Sequence, residues 1–455
     1  MTSPTSRYSV SFWIAAAFGI IASAWVLFNR YQSSGAFLPW TCSLFDLACP
    51  STVSIIGHAN DRYSAAKARF EENFLEGYDI GAGVAAYVNG ELVLDLQGGW
   101  QNFEESIPFT ENTLVPVYSC TKMVSAIVIA KFVQKGLLSY DEPITRYWPE
   151  FGQGNKQNVT VGDLMQHAAG VGSFDKPLSL ADALDVEKFS DILASQVHNF
   201  GGERTRAYHA MTQGWYQNEI LKRVSGQTIG GYVKENFPVY DIEWNLSPYE
   251  SSYDARLVRL YRAPKPMRII RLAKLMLDTS GASDRLLALL MKSTSTQGTI
   301  NTSPDQLEYY QFIQPEVRRL EGPSYSGFTN ARSMAKLGAM MANGGKAIRS
   351  GEPDLLDEAT FAVVTEPVPL DFDTFIGIPT PALKGGFGIS DKMVAENVTF
   401  VGWSGAGGSA FYWNEEYKIG FGYCTNSLGL HTPDHRSLSI LSKIVQAAKA
   451  SKLSA

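Results

Sequence analysis

The sequence has 455 residues, of which 45% are hydrophobic and 12% aromatic, and a formal net charge of −6 at pH 7. A chain of this length and composition can bury a large core, so it is expected to be globular. Its acidic balance argues against a general nucleic-acid-binding protein, because neutralising phosphates requires a basic surface.

The first predicted element is an apolar segment at residues 10–28, VSFWIAAAFGIIASAWVLF, after a short tail at residues 1–9. A segment of this length can cross a bilayer core of ~30 Å. The apolar run continues past residues 22–24, which resemble a cleavage site, so an uncleaved signal-anchor is favoured over a cleavable signal peptide. Arg7 and the α-amino group slightly outweigh Arg30, which predicts that the rest of the chain is lumenal or extracellular.

Residues 29–56 are interpreted as a stem between this anchor and the folded domain. Cys42 and Cys49 lie close together there and could form a local disulfide in an oxidising compartment, whereas Cys120 and Cys424 are expected to be buried thiols. Four N-glycosylation sequons suit the same compartment; they begin at Asn158, Asn245, Asn301 and Asn397. These features predict a single-pass membrane glycoprotein, or a secreted protein if the N-terminal segment is cleaved.

The folded domain is predicted to span residues 57–455. It opens with the amphipathic helix pattern DRYSAAKARFEENFLEG and with GAGVAAYVNGELVLDLQGGW, a β-hairpin that turns at Asn89-Gly90. Near the C terminus, GGSAFYWNEEYKIGFGYCTN predicts a second hairpin and SLSILSKIVQAAKA a closing helix. Because strands lie at both ends, we expect an α+β fold in which the terminal strands form one antiparallel sheet flanked by helices. Residues of about 140–330 are expected to form a helical insert.

The stretch VYSCTKM places Ser119 three positions before Lys122 at the start of an apolar helix. Ser119 is predicted in the first turn, where free N–H groups and the positive end of the helix dipole favour a developing oxyanion. Lys122 lies one turn further on the same side of the helix. Burial lowers the pKa of a lysine, and a neutral amine beside a hydroxyl can act as its general base.

Three other Ser-x-x-Lys spacings occur, and they are Ser64/Lys67, Ser173/Lys176 and Ser333/Lys336. We interpret them as surface positions, on a charged helix, in a loop and on the helix before MMANGG. Only Ser119 opens an apolar helix, so it is the candidate nucleophile. The histidines and cysteines show no metal-ligand spacing, and the predicted chemistry needs no metal or other cofactor.

Several longer motifs surround this pair. They are Ser119-Cys120-Thr121-Lys122, KGLLSYDEPITRYWPEF, VTVGDLMQHAAGV and PSYSGFTNARSMAKLGAMMANGG. On these motifs, residues of about 57–447 resemble the serine β-lactamase-related family, which includes class C β-lactamases, DD-peptidases, family VIII carboxylesterases and metazoan β-lactamase-like proteins. The resemblance implies a β-lactamase/transpeptidase-like fold and a small-molecule acyl substrate.

The resemblance also assigns a tyrosine to the site. In the family a tyrosine enters the site and an asparagine follows two positions later, and the matching stretch here is RAYHAMTQGW. Tyr208 is therefore the expected proton relay between Ser119, Lys122 and the leaving group. Ala210 stands where the family has asparagine, which weakens the case for recognition of a β-lactam amide. His209 is included among the substrate-binding candidates.

The family's third motif matches Trp403-Ser404-Gly405, which are also substrate-binding candidates. By resemblance, the backbone N–H groups of Ser119 and Ala406 form the oxyanion hole, and Gly405 lets the substrate approach the strand. Lactamases and DD-peptidases have a lysine at the position of Trp403 to bind the substrate carboxylate, whereas some family VIII esterases have tryptophan. The indole carries no charge and points to uncharged substrates.

The sequence thus predicts a serine hydrolase that acts through an acyl-enzyme on an uncharged ester or amide, esterase-like and not a true β-lactamase. It makes no prediction of oligomeric state. One alternative is a catalytically silent scaffold or filament-forming member of the family, which would need none of Ser119, Lys122 and Tyr208. Another is a peptidase that acts on short peptides with the same three residues.

Overall fold

The computed structural model describes residues 49–262, 312–429 and 434–454, together with Gly19, Ser23, Cys42 and Ser43. The predicted anchor at residues 10–28 lies outside the described residues apart from two positions, and so does the sequon at Asn301. Within the described ranges, no helix combines the length and the apolar character needed to cross a bilayer. A disulfide joins Cys42 and Cys49, and the thiols of Cys120 and Cys424 are buried, as predicted.

Strands occupy both ends of the described chain, and most helices lie between them. The strands are β1 (Ile55–Ala59), β2 (Gly81–Val88), β3 (Glu91–Asn102), β4 (Ile107–Pro108), β5 (Val115–Pro116), β6 (Trp244–Asn245), β7 (Tyr261–Arg262), β8 (Phe328–Thr329), β9 (Asp371–Asp373), β10 (Ile378–Thr380), β11 (Ile389–Ala395), β12 (Val398–Ser404), β13 (Ala410–Asn414), β14 (Ile419–Thr425) and β15 (Ser427–Leu428). The helices are α1 (Ser64–Leu75), α2 (Thr121–Gln134), α3 (Val161–Met165), α4 (Leu180–Leu184), α5 (Val186–Ser195), α6 (Thr212–Ser225), α7 (Ile229–Asn236), α8 (Pro315–Arg318), α9 (Ala331–Ala342), α10 (Glu358–Val364) and α11 (His435–Ser454).

One antiparallel sheet joins the two ends of the domain in the order β1-β3-β2-β14-β13-β12-β11, and β4 pairs with β3. The N-terminal hairpin lies beside a C-terminal strand, with Phe421 of β14 opposite Ala86 of β2. Asn89 and Gly90 both have positive φ, 51° and 81°, the backbone that a two-residue hairpin turn requires. The predicted α+β fold with terminal strands in one sheet is confirmed.

Helices cover both faces of this sheet. Because side chains alternate along a strand, Phe421 of β14 faces the layer formed by α1 and α11, and its neighbours Gly420 and Gly422 face α9. The two glycines let α9 approach closely, since a Cβ at Gly420 would collide with the backbone of Ala339. Helix α9 therefore packs directly on the middle of the sheet.

Helix α2 runs through the core on the α9 side of the sheet, and residues 121–130 are all buried. It packs against α6 and α7, and the turn that precedes it contacts β12. At its other end Lys135 caps the helix and Gly136 has a φ of 69°, a backbone that is typical of helix C termini. The start of α2 thus lies where the sheet edge meets the helical part of the domain.

Candidate active site

Ser119 lies in a 3-10 turn, Tyr118–Cys120, that leads from β5 into α2. Thr121 stabilises the turn, because its hydroxyl donates to the carbonyl of Tyr118 (2.5 Å) and accepts from the N–H of Gly327 (2.9 Å). The sequence predicts Ser119 in the first turn of the helix; it precedes the first α-helical residue by two positions. Its half-buried hydroxyl is therefore presented at the positive end of α2.

Lys122 is 3% exposed, and its Nζ lies 2.6 Å from the carbonyl oxygen of Ala210 and 3.0 Å from that of Ser324. Burial holds the pKa of Lys122 well below the usual range for a lysine. A neutral amine has two N–H donors, and the two carbonyls accept both. Its lone pair remains available to accept a proton.

Lys336 provides a comparison within the same chain. The interpretation of Ser333 and Lys336 as surface positions is wrong, because both are buried in α9, at 3% and 1% exposed. Lys336 Nζ lies 2.6 Å from Glu352 Oε1, so this buried amine has a carboxylate partner. Lys122 forms no ion pair with a carboxylate of the described residues, so the two buried lysines have opposite electrostatic surroundings.

Tyr208 reaches Ser119 from the segment that precedes α6. Its hydroxyl donates a hydrogen bond of 2.9 Å to Ser119 Oγ, and Lys122 Nζ lies 4.9 Å from the centre of its ring. The ring stacks on Trp403 at 5.6 Å between centroids and meets the edge of His167 at 4.9 Å. The fold thus brings Tyr208, which is 89 positions away in sequence, to the predicted pair Ser119 and Lys122.

His209 points away from Ser119 into the protein interior. It is fully buried, its Nε2 accepts from the N–H of Val171 (3.2 Å), and its Nδ1 lies 2.5 Å from the carbonyl oxygen of Ala207. Burial lowers the pKa of His209 to about 4, so the ring is neutral at physiological pH. His209 therefore ties two backbone segments together beneath the site, and its ring nitrogens are already occupied.

The end of β12 forms the other side of the site. Trp403 is half-buried and stacked on Tyr208, and its carbonyl oxygen accepts a hydrogen bond from the Cys120 thiol (3.3 Å). Ser404 Oγ is hydrogen-bonded to the hydroxyl of Tyr412. Gly405 passes so close to the turn before Ser119 that a Cβ there would collide with the carbonyl oxygen of Val117.

Two backbone N–H groups near this junction have no hydrogen-bond partner among the described residues. The N–H of Ser119 and the N–H of Ala406 donate no hydrogen bond to any described residue. The preceding peptide is anchored, because the N–H of Gly405 donates to the carbonyl of Ser409 (2.8 Å). Backbone N–H donors of this kind stabilise an acyl oxyanion in hydrolases that act by acyl transfer.

Three contributors were not assigned from the sequence. Ser324 acts through its backbone carbonyl, which no sequence pattern can reveal. His167 lies inside the motif VTVGDLMQHAAGV, and its φ of 61° is unusual for a non-glycine residue. Asp373 accepts a hydrogen bond from the N–H of Tyr208 (3.1 Å), although 165 positions separate them. In the described ranges, no group of three or more His, Cys, Asp or Glu residues is arranged to hold a metal ion.

Comparison with known proteins places this geometry in a family. The family described as Beta-lactamase matches residues 68–441. The Esterase/beta-lactamase LipL of Mycobacterium tuberculosis is 26% identical over 296 residues, which are 64% of this chain and 65% of LipL. This chain thus spans slightly less than two thirds of that relative's length.

Two crystal structures share the fold over 87% of this chain and 100% of their own. One is a family VIII carboxylesterase, with a TM-score of 0.74 at 25% identity. The other is a penicillin-binding protein homolog from Caulobacter crescentus, with a TM-score of 0.71 at 26% identity. The chain described here belongs to the beta-lactamase family.

Proposed function

We propose that the protein is a serine hydrolase that forms an acyl-enzyme at Ser119 and acts on an uncharged ester or amide. The observation that carries the proposal is the hydrogen bond of 2.9 Å from the Tyr208 hydroxyl to Ser119 Oγ, beside the buried amine of Lys122. Two of the similar proteins, an esterase/beta-lactamase and a family VIII carboxylesterase, support the same class of reaction.

In the proposed acylation, Ser119 Oγ forms a bond to the acyl carbon while the carbonyl π electrons move onto its oxygen. The Ser119 proton passes to the pair formed by Tyr208 and Lys122, whose neutral amine can hold it. The carbonyl then re-forms, the bond to the leaving group breaks, and the leaving oxygen or nitrogen receives that proton. Water then attacks the carbonyl of the acyl-enzyme by the same steps. The bond to Ser119 Oγ breaks, the carboxylic acid is released, and Ser119 regains its proton.

The developing negative charge needs donors, and the unpartnered N–H groups of Ser119 and Ala406 support their assignment as the oxyanion hole. The positive end of α2 adds to the stabilisation of an anion there. The close approach of Gly405 to the turn before Ser119 keeps these two N–H groups on adjacent segments.

Specificity for uncharged substrates rests on Trp403. Its indole stacks on Tyr208 at the mouth of the site and supplies a flat apolar surface without a positive charge. A substrate carboxylate placed there would lose its hydration without gaining a charged partner, which is costly. A neutral acyl or alcohol group avoids this cost.

A fluorophosphonate probe tests the assignment directly. The wild-type protein should be labelled at Ser119, as read by peptide mass spectrometry, and Ser119→Ala should not be labelled. Ser64→Ala, at an exposed Ser-x-x-Lys spacing on α1, is the matched control and should be labelled like the wild type. Labelling that survives in Ser119→Ala would refute the nucleophile. Labelling without turnover of any short-chain ester would favour the scaffold alternative.

We also propose that the domain resides in an oxidising compartment, tethered by residues 10–28. The disulfide between Cys42 and Cys49 supports this location, because such bonds persist outside the reducing cytosol. Protease protection of the full-length protein in sealed microsomes tests it. A domain that is digested without detergent would place it on the cytosolic side and contradict the proposal.

A further inference from the structure

We propose that Asp373 is a positioning residue that holds Tyr208 at the nucleophile, acting from the hairpin formed by β9 and β10. The inference rests on the proposed function, because it concerns where the Tyr208 hydroxyl sits relative to Ser119. Among the described residues, no hydrogen bond or ion pair joins Asp373 to Ser119 or Lys122, so we infer that it acts through the backbone of Tyr208.

Asp373 is a buried carboxylate with three backbone donors on one oxygen. Its Oδ1 accepts from the N–H of Tyr208 (3.1 Å) and from the N–H groups of Phe375 and Ile376 (both 2.9 Å). The hydrogen bonds from Phe375 and Ile376 stabilise the turn of the hairpin. The hydrogen bond from Tyr208 joins that turn to the segment that carries Tyr208. One side chain thus joins two segments that are far apart in sequence.

Arg206, two positions before Tyr208, makes the reciprocal contacts. Its carbonyl oxygen accepts from the N–H and the hydroxyl of Thr374, at 2.9 and 3.1 Å. Its guanidinium donates to the carbonyl of Thr380 in β10 (2.9 Å), and its Nε lies 3.8 Å from Asp373 Oδ2. The tyrosine segment is therefore bound to the hairpin at residues 206 and 208 together.

The aromatic contacts of Tyr208 hold its ring, whereas Asp373 holds its backbone N–H. Trp403 and His167 contact the ring, and His167 also accepts from the N–H groups of the flanking residues Ala207 and His209, at 2.9 and 3.2 Å. The N–H of Tyr208 itself donates to Asp373. The hydrogen bond to Asp373 fixes the backbone from which the ring extends, and so fixes how far the hydroxyl reaches. A buried carboxylate is costly unless it is paired and hydrogen-bonded, so its presence at this point of attachment needs a compensating gain.

The test compares Asp373→Ala with Asp371→Ala, a matched control on the same hairpin. Asp371 pairs with Arg204 at the surface, with 37% of its side chain exposed, and does not contact Tyr208. Each change is made in the wild type and in Tyr208→Phe. The kcat and KM for a p-nitrophenyl ester, the rate of fluorophosphonate labelling and the melting temperature are measured for all variants.

We expect Asp373→Ala to lower kcat and the labelling rate by about 100-fold, the cost of misplacing a catalytic group by about 1 Å, while KM changes little. In the Tyr208→Phe background the same change should lower the labelling rate less than about threefold, since the hydroxyl to be positioned is gone. Asp371→Ala should change neither rate. Asp373→Asn keeps an acceptor oxygen for the Tyr208 N–H and should recover most of the labelling rate.

Equal losses in both backgrounds would show a general structural role and overturn the proposal. If Asp373→Ala does not fold, Asp373→Leu, which keeps the size of the side chain and has no acceptor oxygen, takes its place in the two backgrounds and in the crystal structure. A crystal structure of the folded variant provides a readout that does not depend on activity. The Tyr208 hydroxyl should have left hydrogen-bond distance of Ser119 Oγ, and an unchanged distance would overturn positioning even if no substrate were turned over. Failure of the Ser119 labelling in the wild type would instead refute the proposed function.

Discussion

Lys122 Nζ lies 2.6 Å from the carbonyl oxygen of Ala210, at the position where the resembled family carries asparagine. The contact uses the backbone of residue 210, so it does not depend on which side chain stands there. Together with the carbonyl of Ser324, it gives a buried amine two acceptors and no carboxylate. Lys122 can therefore serve as a base although the asparagine is missing.

Replacing Lys122 by methionine, which keeps the length of the side chain, should lower kcat by about 1,000-fold with a small change in KM, because the group that holds the Ser119 proton is lost. In the wild type, kcat/KM should fall as the pH drops through the lowered pKa of Lys122, since the protonated amine cannot accept a proton. Lys67→Met, at an exposed position of α1, is the control and should behave like the wild type. An unchanged pH profile in Lys122→Met would contradict the assignment.

His209 should make the protein sensitive to acid. Its pKa is about 4 in the folded state, below the value of about 6.5 in the unfolded chain, so the unfolded state binds more protons between these values. The stabilising effect of the neutral ring is complete above pH 6.5 and is lost as the pH falls toward 4, by up to ~3 kcal/mol. Urea unfolding of the wild type and of His209→Gln at pH 7, 5.5 and 4.5 measures the difference. Parallel losses in the two proteins would show that His209 does not titrate in this way.

Gly405→Ala should impair acylation, because its Cβ would push the end of β12 away from the carbonyl oxygen of Val117. The N–H groups of Ser119 and Ala406 would then separate, and losing one oxyanion donor costs about 100-fold in kcat. Gly231→Ala, on the exposed surface of α7, provides a control without this backbone collision. The labelling rate and the melting temperature are measured together. Normal labelling of Gly405→Ala would show that the approach to Val117 is not needed.

The wild-type protein should turn over a neutral p-nitrophenyl ester and hydrolyse a carboxylate-bearing cephalosporin slowly or not at all. Trp403→Lys supplies a charge that can bind a carboxylate, and a hydrogen bond to a charged group contributes ~1.5–3 kcal/mol, so kcat/KM for an acidic ester should rise about tenfold or more relative to the neutral ester. Trp403→Phe removes the indole without adding charge and should not shift this ratio. Efficient cephalosporin hydrolysis by the wild type would show that another cation binds the carboxylate.

Much of the fold follows from short-range patterns. The turn at Asn89-Gly90 needs only two residues that tolerate positive φ, and the buried helix after Ser119 is visible as an unbroken apolar run. Those patterns are local, so they also predict Ser119 and Lys122 on one side of a helix. The incorrect prediction that Ser333 and Lys336 lie on the surface shows what local patterns do not determine. Their helix lies between the sheet and the rest of the core, and Lys336 forms its ion pair with Glu352 only in the folded chain.

The candidate nucleophile and lysine and the terminal hairpins could be predicted from the sequence, because residue type and periodicity encode them within a few turns of chain, and the resemblance of longer motifs indicated the family. How the lysine and the tyrosine are held depends on the tertiary structure. The carbonyl acceptors of Lys122 are backbone groups that every residue possesses, and Asp373 reaches Tyr208 across 165 positions. The tertiary structure also buries His209 in the interior, although its neighbour Tyr208 is hydrogen-bonded to Ser119. These contacts depend on how distant segments pack, which local sequence patterns do not specify.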